Sequence, residues 1–273
     1  MTSFPTFING ATEAVALGDN DCFPVIVAGA TRRMKASTIG QASFAVRSSG
    51  NSTFAGGGAG GSNSGTGNSF FGNAAGGANT SGYSNSFFGY SAGAASVASN
   101  QNSFFGYGSG AAAAADALCA FGFNAGKNVT AGGAGSCFFG AQAGLYSTSG
   151  INCFFGYKSG SSVATGTKNS FFGHQAGFYS AGATSANSFF GYKAGFTNVT
   201  GSRNTFVGES ADSGAGFNDC IVIGSGATAQ ASGELVLGSV TAALSTPATA
   251  GAVSKYLSVR VNGTLLKIPL HAV

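Results

Sequence analysis

From residue 51 to residue 239 the apolar positions follow neither helical spacing nor a simple alternation. Two adjacent phenylalanines stand between an Asn-Ser pair and a glycine, and a small-residue run follows, as in NSFFGYSAG from Asn85 to Gly93. Neighbouring side chains of a strand point to opposite faces, so Phe87 and Phe88 are both buried only if both faces are covered. Aligned on the glycine after the phenylalanines, the pattern recurs at Gly72, Gly89, Gly106, Gly122, Gly140, Gly156, Gly173, Gly191 and Gly208, at steps of 16 to 18 residues. NSTFAGGGAG at Asn51 is a worn copy, and CIVIGSGATAQASGELVLGS, from Cys220, continues the theme with aliphatic residues.

Each unit reads as a short strand, a tight turn at the glycine, a second extended piece through SAG, and a polar return loop. Glycine, and asparagine at modest cost, supply the positive φ needed at corners. The alanine-rich run at 110–122 keeps the repeat frame, with Phe121 and Gly122 in register, so Ala111 to Ala115 is predicted to be a loop and not a helix. The expected fold class is all-β: a parallel β-roll, or β-solenoid, of about 17-residue turns stacked ~4.8 Å apart.

In such a roll the serine or cysteine column and one phenylalanine column are expected to point inward. The first residue of each pair is taken as the outward column: Phe70, Phe87, Phe104, Phe138, Phe154, Phe171, Phe189 and Phe206, interrupted by Ala120. The second residues, Phe71, Phe88, Phe105, Phe139, Phe155, Phe172 and Phe190, form the other ladder. Whichever ladder faces out, an aromatic stripe exceeding ~300 Å² is left for water, the size at which patches mark contacts. Covering it calls for further copies of the chain, and three flat-sided rolls around an axis parallel to the stack, a homotrimer, suit that need.

Composition sharpens this picture. Charged residues are 7% of 273, against roughly 25% in ordinary domains, while 25 Phe and 8 Tyr argue against a solvated disordered chain. The net charge of +4 is scattered, with TRRMK at Thr31 to Lys35 its densest stretch, so no nucleic-acid partner is expected. No apolar window is long enough for a membrane helix, and the opening residues lack the pattern of a signal peptide. The chain is therefore expected to be made in the cytoplasm, without membrane insertion. Cys137 and Cys153, with Cys119 in a degenerate copy, replace serine and read as small buried filler, interchain disulfides being the alternative.

Three parts are expected: 1–50, an N-terminal attachment or capping region; 51–239, the repeat rod; and 240–273, a small-residue linker and a hairpin. In the last part Asn262-Gly263 separates the alternating strands Tyr256 to Val261 and Thr264 to Leu270.

The closing repeats resemble the head repeats of trimeric autotransporter adhesins, which form parallel β-rolls in a trimer. The NSFFGYSAG and NTFVGES units resemble repeats of bacteriophage tail fibres and other virion appendages, and KYLSVRVNGTLLKIPLHAV is similar to closing segments of phage virion proteins. The resemblance implies a structural trimeric fibre or spike of a bacteriophage virion. Its implied partners are other virion proteins, through either end, and a host surface glycan. The adhesins' signal peptide and membrane-anchor barrel are not evident in the sequence, which favours the virion reading over a bacterial surface adhesin.

Candidate chemistry is sparse. Within the repeats Glu209 and Asp212 are the nearest acidic pair and read as a modified repeat, not a catalytic dyad. GGGAGG at 56–61 matches a phosphate-loop pattern as a glycine-rich chain does by chance. No enzyme activity, cofactor or metal is expected. The residues after each turn glycine, Tyr90, Tyr107, Tyr157 and Tyr192 with His174 among them, form a candidate outer binding surface. An ice-binding solenoid is disfavoured, because this column mixes residue types where a regular threonine array is required.

Overall fold

The computed structural model describes residues 22–27, 30–35, 46–49, 51–148, 150–214, 216–238, 253–261 and 264–271. Most of the expected N-terminal attachment region, the linker from 240 to 252 and the Asn262-Gly263 turn lie outside the described residues. The chain forms two compact units, Met1–Asn152 and Cys153–Val273.

In the first unit β1 (Cys22–Val27) pairs antiparallel with β2 (Ala30–Lys35), and β3 (Val46–Ser49) with β4 (Ser52–Ala55). Three-residue strands follow: β5 (Ser69–Phe71), β6 (Ser86–Phe88), β7 (Ser103–Phe105), β8 (Cys119–Phe121) and β9 (Cys137–Phe139). From β4 onward each pairs in parallel with the next, so that Ser69 faces Ser86 and Phe70 faces Phe87. The second unit repeats the arrangement through β10 (Cys153–Phe155), β11 (Ser170–Phe172), β12 (Ser188–Phe190) and β13 (Thr205–Val207). A short β14 (Asp212–Ser213) precedes β15 (Ile221–Ile223); β16 (Thr228–Ala229) precedes β17 (Leu235–Leu237). The stack continues in parallel from β13 to β15 to β17. Both units are thus parallel β-solenoids with turns roughly 17 residues apart. At the C-terminus β18 (Val253–Val261) and β19 (Thr264–His271) form an antiparallel hairpin, with Val261 opposite Thr264.

The structure reverses the expected facing of the strand. The first phenylalanine of each pair points inward: Phe70, Phe87, Phe104, Phe138, Phe154, Phe171, Phe189 and Phe206 are all fully buried. Their rings stack along each unit, for example Phe70 on Phe87 and Phe87 on Phe104 at 4.7 Å between centroids. The serine or cysteine column and the second phenylalanine column share the outer face.

The reason is the asparagine before the serine, which alternation places on the same face as the first phenylalanine. Asn68, Asn85 and Asn102 in the first unit, and Asn169, Asn187 and Asn204 in the second, are buried. Each side-chain oxygen accepts a backbone N–H from the next turn: Asn85 N donates to Asn68 Oδ1 at 2.9 Å, and Asn204 N to Asn187 Oδ1 at 2.9 Å. Except at Asn102, whose Nδ2 is buried without a partner, the side-chain amide donates to a loop carbonyl, as Asn85 Nδ2 does to Ser99 O at 2.8 Å and Asn187 Nδ2 to Gly201 O at 2.9 Å. Asparagine carries both a donor and an acceptor, so in the other turns one residue type satisfies two buried backbone groups. Asparagine is found at positive-φ corners at Asn51 and Asn124, with φ 60 and 53°, but the buried ladder asparagines are not corner residues: there the corner is taken by the residue before, including Ser84, Gln101, Lys168 and Arg203 at φ 56 to 60°.

The SAG segment is not a second strand in most turns. It runs through successive tight turns, with Ala92 N donating to Gly89 O and Ala94 N to Ser91 O, both at 3.3 Å. The buried alanine and the following glycine lie against the inner ring: a Cβ on Gly93 would stand 2.4 Å from the Phe87 ring. Paired strands on this side occur where β14 meets β16, in the shortened turns near the end of the repeat. The alanine-rich segment is non-helical, with Ala113 and Ala115 buried in the return loop. In this turn Ala120 replaces the inner phenylalanine and Leu118 replaces the asparagine, both fully buried.

One corner residue is mismatched to its backbone. Ile151 occupies the column before the asparagine with φ 59°, a region that β-branched side chains resist, while its side chain is 63% exposed. Ile151→Asn is expected to raise unfolding free energy by about 1 kcal/mol, because asparagine tolerates this region and no buried contact is lost. Urea unfolding of the two proteins checks it, and a decrease would refute backbone strain at this corner.

Candidate functional site

Two surfaces stand out. The first is the outer face of the short strands. In the first unit Phe71, Phe88, Phe105, Phe121 and Phe139 form one column, with Phe88 on Phe105 at 4.7 Å and Phe121 on Phe139 at 4.7 Å. These rings cover one another's faces, and the edges remain to solvent; Phe105 is 36% exposed. In the second unit Phe155, Phe172 and Phe190 stack likewise, and the column continues as Val207, Ile223 and Leu237. Here the neighbouring outer column also turns apolar, from Thr205 to Ile221 and Leu235. Ile221, Ile223, Leu235 and Leu237 are all exposed, by 43 to 54%.

Cys119, Cys137 and Cys153 lie on this outer face and are half-buried, not buried filler as expected. Cys220 differs because it occupies the inner asparagine column, where its backbone N–H donates to Asn204 Oδ1 at 2.9 Å.

The second surface is the column after the turn glycines, which stand at φ 129 to 144° from Gly72 to Gly208. Tyr90 and Tyr107 in the first unit stack at 5.2 Å and continue to Phe123 at 5.4 Å. In the second unit Tyr157, His174 and Tyr192 form a column at 5.0 and 5.2 Å. All of these rings are exposed. Lys158 and Lys193, the next residues in chain order, each hold their Nζ 5.2 Å from the centroid of the preceding tyrosine ring. Lys193 Nζ is also 5.2 Å from the Phe196 ring, and Phe196 stacks on Phe178 while Tyr179 meets both rings edge-on. The GYK pairs at Gly156 and Gly191 are the sequence signal for this cation-capped wall.

The acidic residues are separated in role. Asp212 is buried, and its carboxylate accepts hydrogen bonds from Thr197 N, Thr197 Oγ1 and Ser213 N at 2.8 to 2.9 Å. Burial pushes its carboxyl up, against these hydrogen bonds, which pull it down. Glu209 is exposed. Asp219 pairs with Arg203 on the surface through two short contacts of 2.6 and 2.8 Å, and the guanidinium hydrogen bond holds its carboxyl below the usual range. So exposed a pair contributes little to stability. Asp116 Oδ1, beside a depression of about 390 Å³ lined by alanines, Val97 and Ser99, accepts from Asn100 N at 2.7 Å.

Comparison of the chain with protein-family models, with curated proteins and with solved structures finds no match.

Proposed function

We propose that this chain is a structural protein, a homotrimeric β-solenoid fibre or spike of a bacteriophage virion that contacts the host surface. The observation that carries the reading is the outer apolar face. A half-exposed large side chain leaves on the order of 80 Å² in water, so the eight outer apolar residues of the second unit together leave on the order of 600 Å². Charged residues, the usual means of keeping such a face solvated, are only 7% of the chain. Further copies packed along the face bury it, and the resemblance of the repeats to trimeric fibre and adhesin modules favours three.

Sedimentation equilibrium of the full chain tests the assembly. The expected mass is three times 26.6 kDa, and Ile223→Lys with Leu237→Lys is expected to shift the protein to single copies. A wild-type chain that sediments as a stable single copy overturns the trimer. Mass spectrometry of purified particles tests the virion assignment, which fails if the protein fractionates with host envelopes and not with particles.

A further inference from the structure

We propose that the cation-capped wall of the second unit, Tyr157, His174 and Tyr192 with Lys158 and Lys193, binds an anionic polysaccharide whose sugar carboxylates meet the two ammonium groups. This rests on the proposed host-contact role in one respect, that the wall faces solvent in the assembly.

Three features of the wall select that ligand. First, the His174 ring lies between those of Tyr157 and Tyr192 at 5.0 and 5.2 Å, tilted by 30° and 23°, so ring is set on ring along the column and no broad open face runs along its length. A flat nucleobase needs an open ring face on which to stack, whereas a saccharide lying along the wall needs hydrogen-bond partners at intervals. Second, Lys158 and Lys193 are two turns apart, about 10 Å, and the residue between them in the column is the neutral Gln175. Among the described residues neither ammonium lies within ion-pair distance of a carboxylate, the pair formed being Arg203 with Asp219. Two cations spaced in this way match a chain that carries repeated negative charge. Third, the backbone beneath the wall is tied turn to turn: Gln175 N donates to Tyr157 O at 2.8 Å, Lys193 N to His174 O at 2.9 Å and Ser210 N to Tyr192 O at 2.8 Å. A surface held this way loses little freedom on binding.

The charge is local. Glu209 takes the ring position in the turn after Tyr192 and bounds the basic stretch. In the first unit the residues beside Tyr90, Tyr107 and Phe123 are Ser91, Gly108 and Asn124, all neutral. The two walls thus share rings and differ in cations.

Affinity electrophoresis of the full chain through gels containing polygalacturonate, dextran or a thymidine oligonucleotide tests the proposal. Retardation by polygalacturonate alone is expected. Lys158→Gln with Lys193→Gln is expected to weaken it at least tenfold, while Lys168→Gln with Arg203→Gln, which removes the same charge elsewhere, changes it less than twofold. No retardation by polygalacturonate, equal retardation by dextran or the oligonucleotide, or equal loss in the two double variants overturns the proposal. Should Lys158→Gln with Lys193→Gln fail to fold, Glu209→Lys on the exposed wall decides: it strengthens retardation, and an unchanged value overturns the site. The sedimentation mass of each protein is read in parallel, so loss of the assembly and loss of the site are told apart.

Discussion

Gly89→Ala is expected to destabilise the first unit by about 3 kcal/mol or more, near the upper end of what one methyl group can do. Gly89 sits at φ 140°, where side chains are rarely tolerated, and an added Cβ would stand 2.4 Å from the Gly106 carbonyl oxygen in the next turn. The clash cannot relax by sliding the turns apart, because Gly89 N donates to Phe71 O and Gly106 N to Phe88 O at 2.8 Å each. Gly135 is the internal comparison: it has φ 75° but nothing within 4 Å of an added Cβ, so Gly135→Ala costs only about 1 kcal/mol. Urea unfolding of both variants checks the contrast. Equal losses would show that conformation, and not the close approach of stacked turns, sets the cost.

The second large effect lies in the inner ladder. Phe171→Ala is expected to cost about 3 to 5 kcal/mol, since the ring is fully buried between Phe154 at 4.9 Å and Phe189 at 4.6 Å and its removal opens a cavity. The native Ala120 does not contradict this. That turn brings in buried Leu118, and the Phe138 ring lies 2.9 Å from where a Cβ of Gly126 would be. The adjacent outer residue behaves differently. Phe172→Ala removes a half-exposed ring, so its expected cost is about 1 to 2 kcal/mol in a single chain, with a further loss that grows on dilution if copies pack on this face. Thermal unfolding over a hundredfold range of protein concentration separates the two. A Phe172→Ala loss as large as that of Phe171→Ala, and independent of concentration, would contradict the assignment of the faces.

The two phenylalanine columns therefore have separate duties. The inner one, with the asparagine ladder, holds each turn to the next. The outer one, with Ile221, Ile223, Leu235 and Leu237, is the surface on which the proposed assembly depends.

The repeat, its step, the strand at each phenylalanine pair and the hairpin around 262–263 were legible in the chain. Each follows from local chemistry: side-chain alternation, the backbone freedom of glycine, and turn-forming pairs recurring at a fixed interval. Which phenylalanine faces inward was not legible, because alternation relates neighbours to one another and carries no sign. That sign comes from contacts across the turn, where Asn85 reaches Ser99 O and Gly93 leaves room for the Phe87 ring. Asparagine illustrates the limit. Its composition is equally suited to a left-handed corner or a buried ladder, and only the presence of an unsatisfied amide on the next turn, 16 to 18 residues away, selects the ladder. The stacking of Tyr157, His174 and Tyr192 beneath two lysines is decided in the same way, by neighbours brought together through the stack and not through the chain.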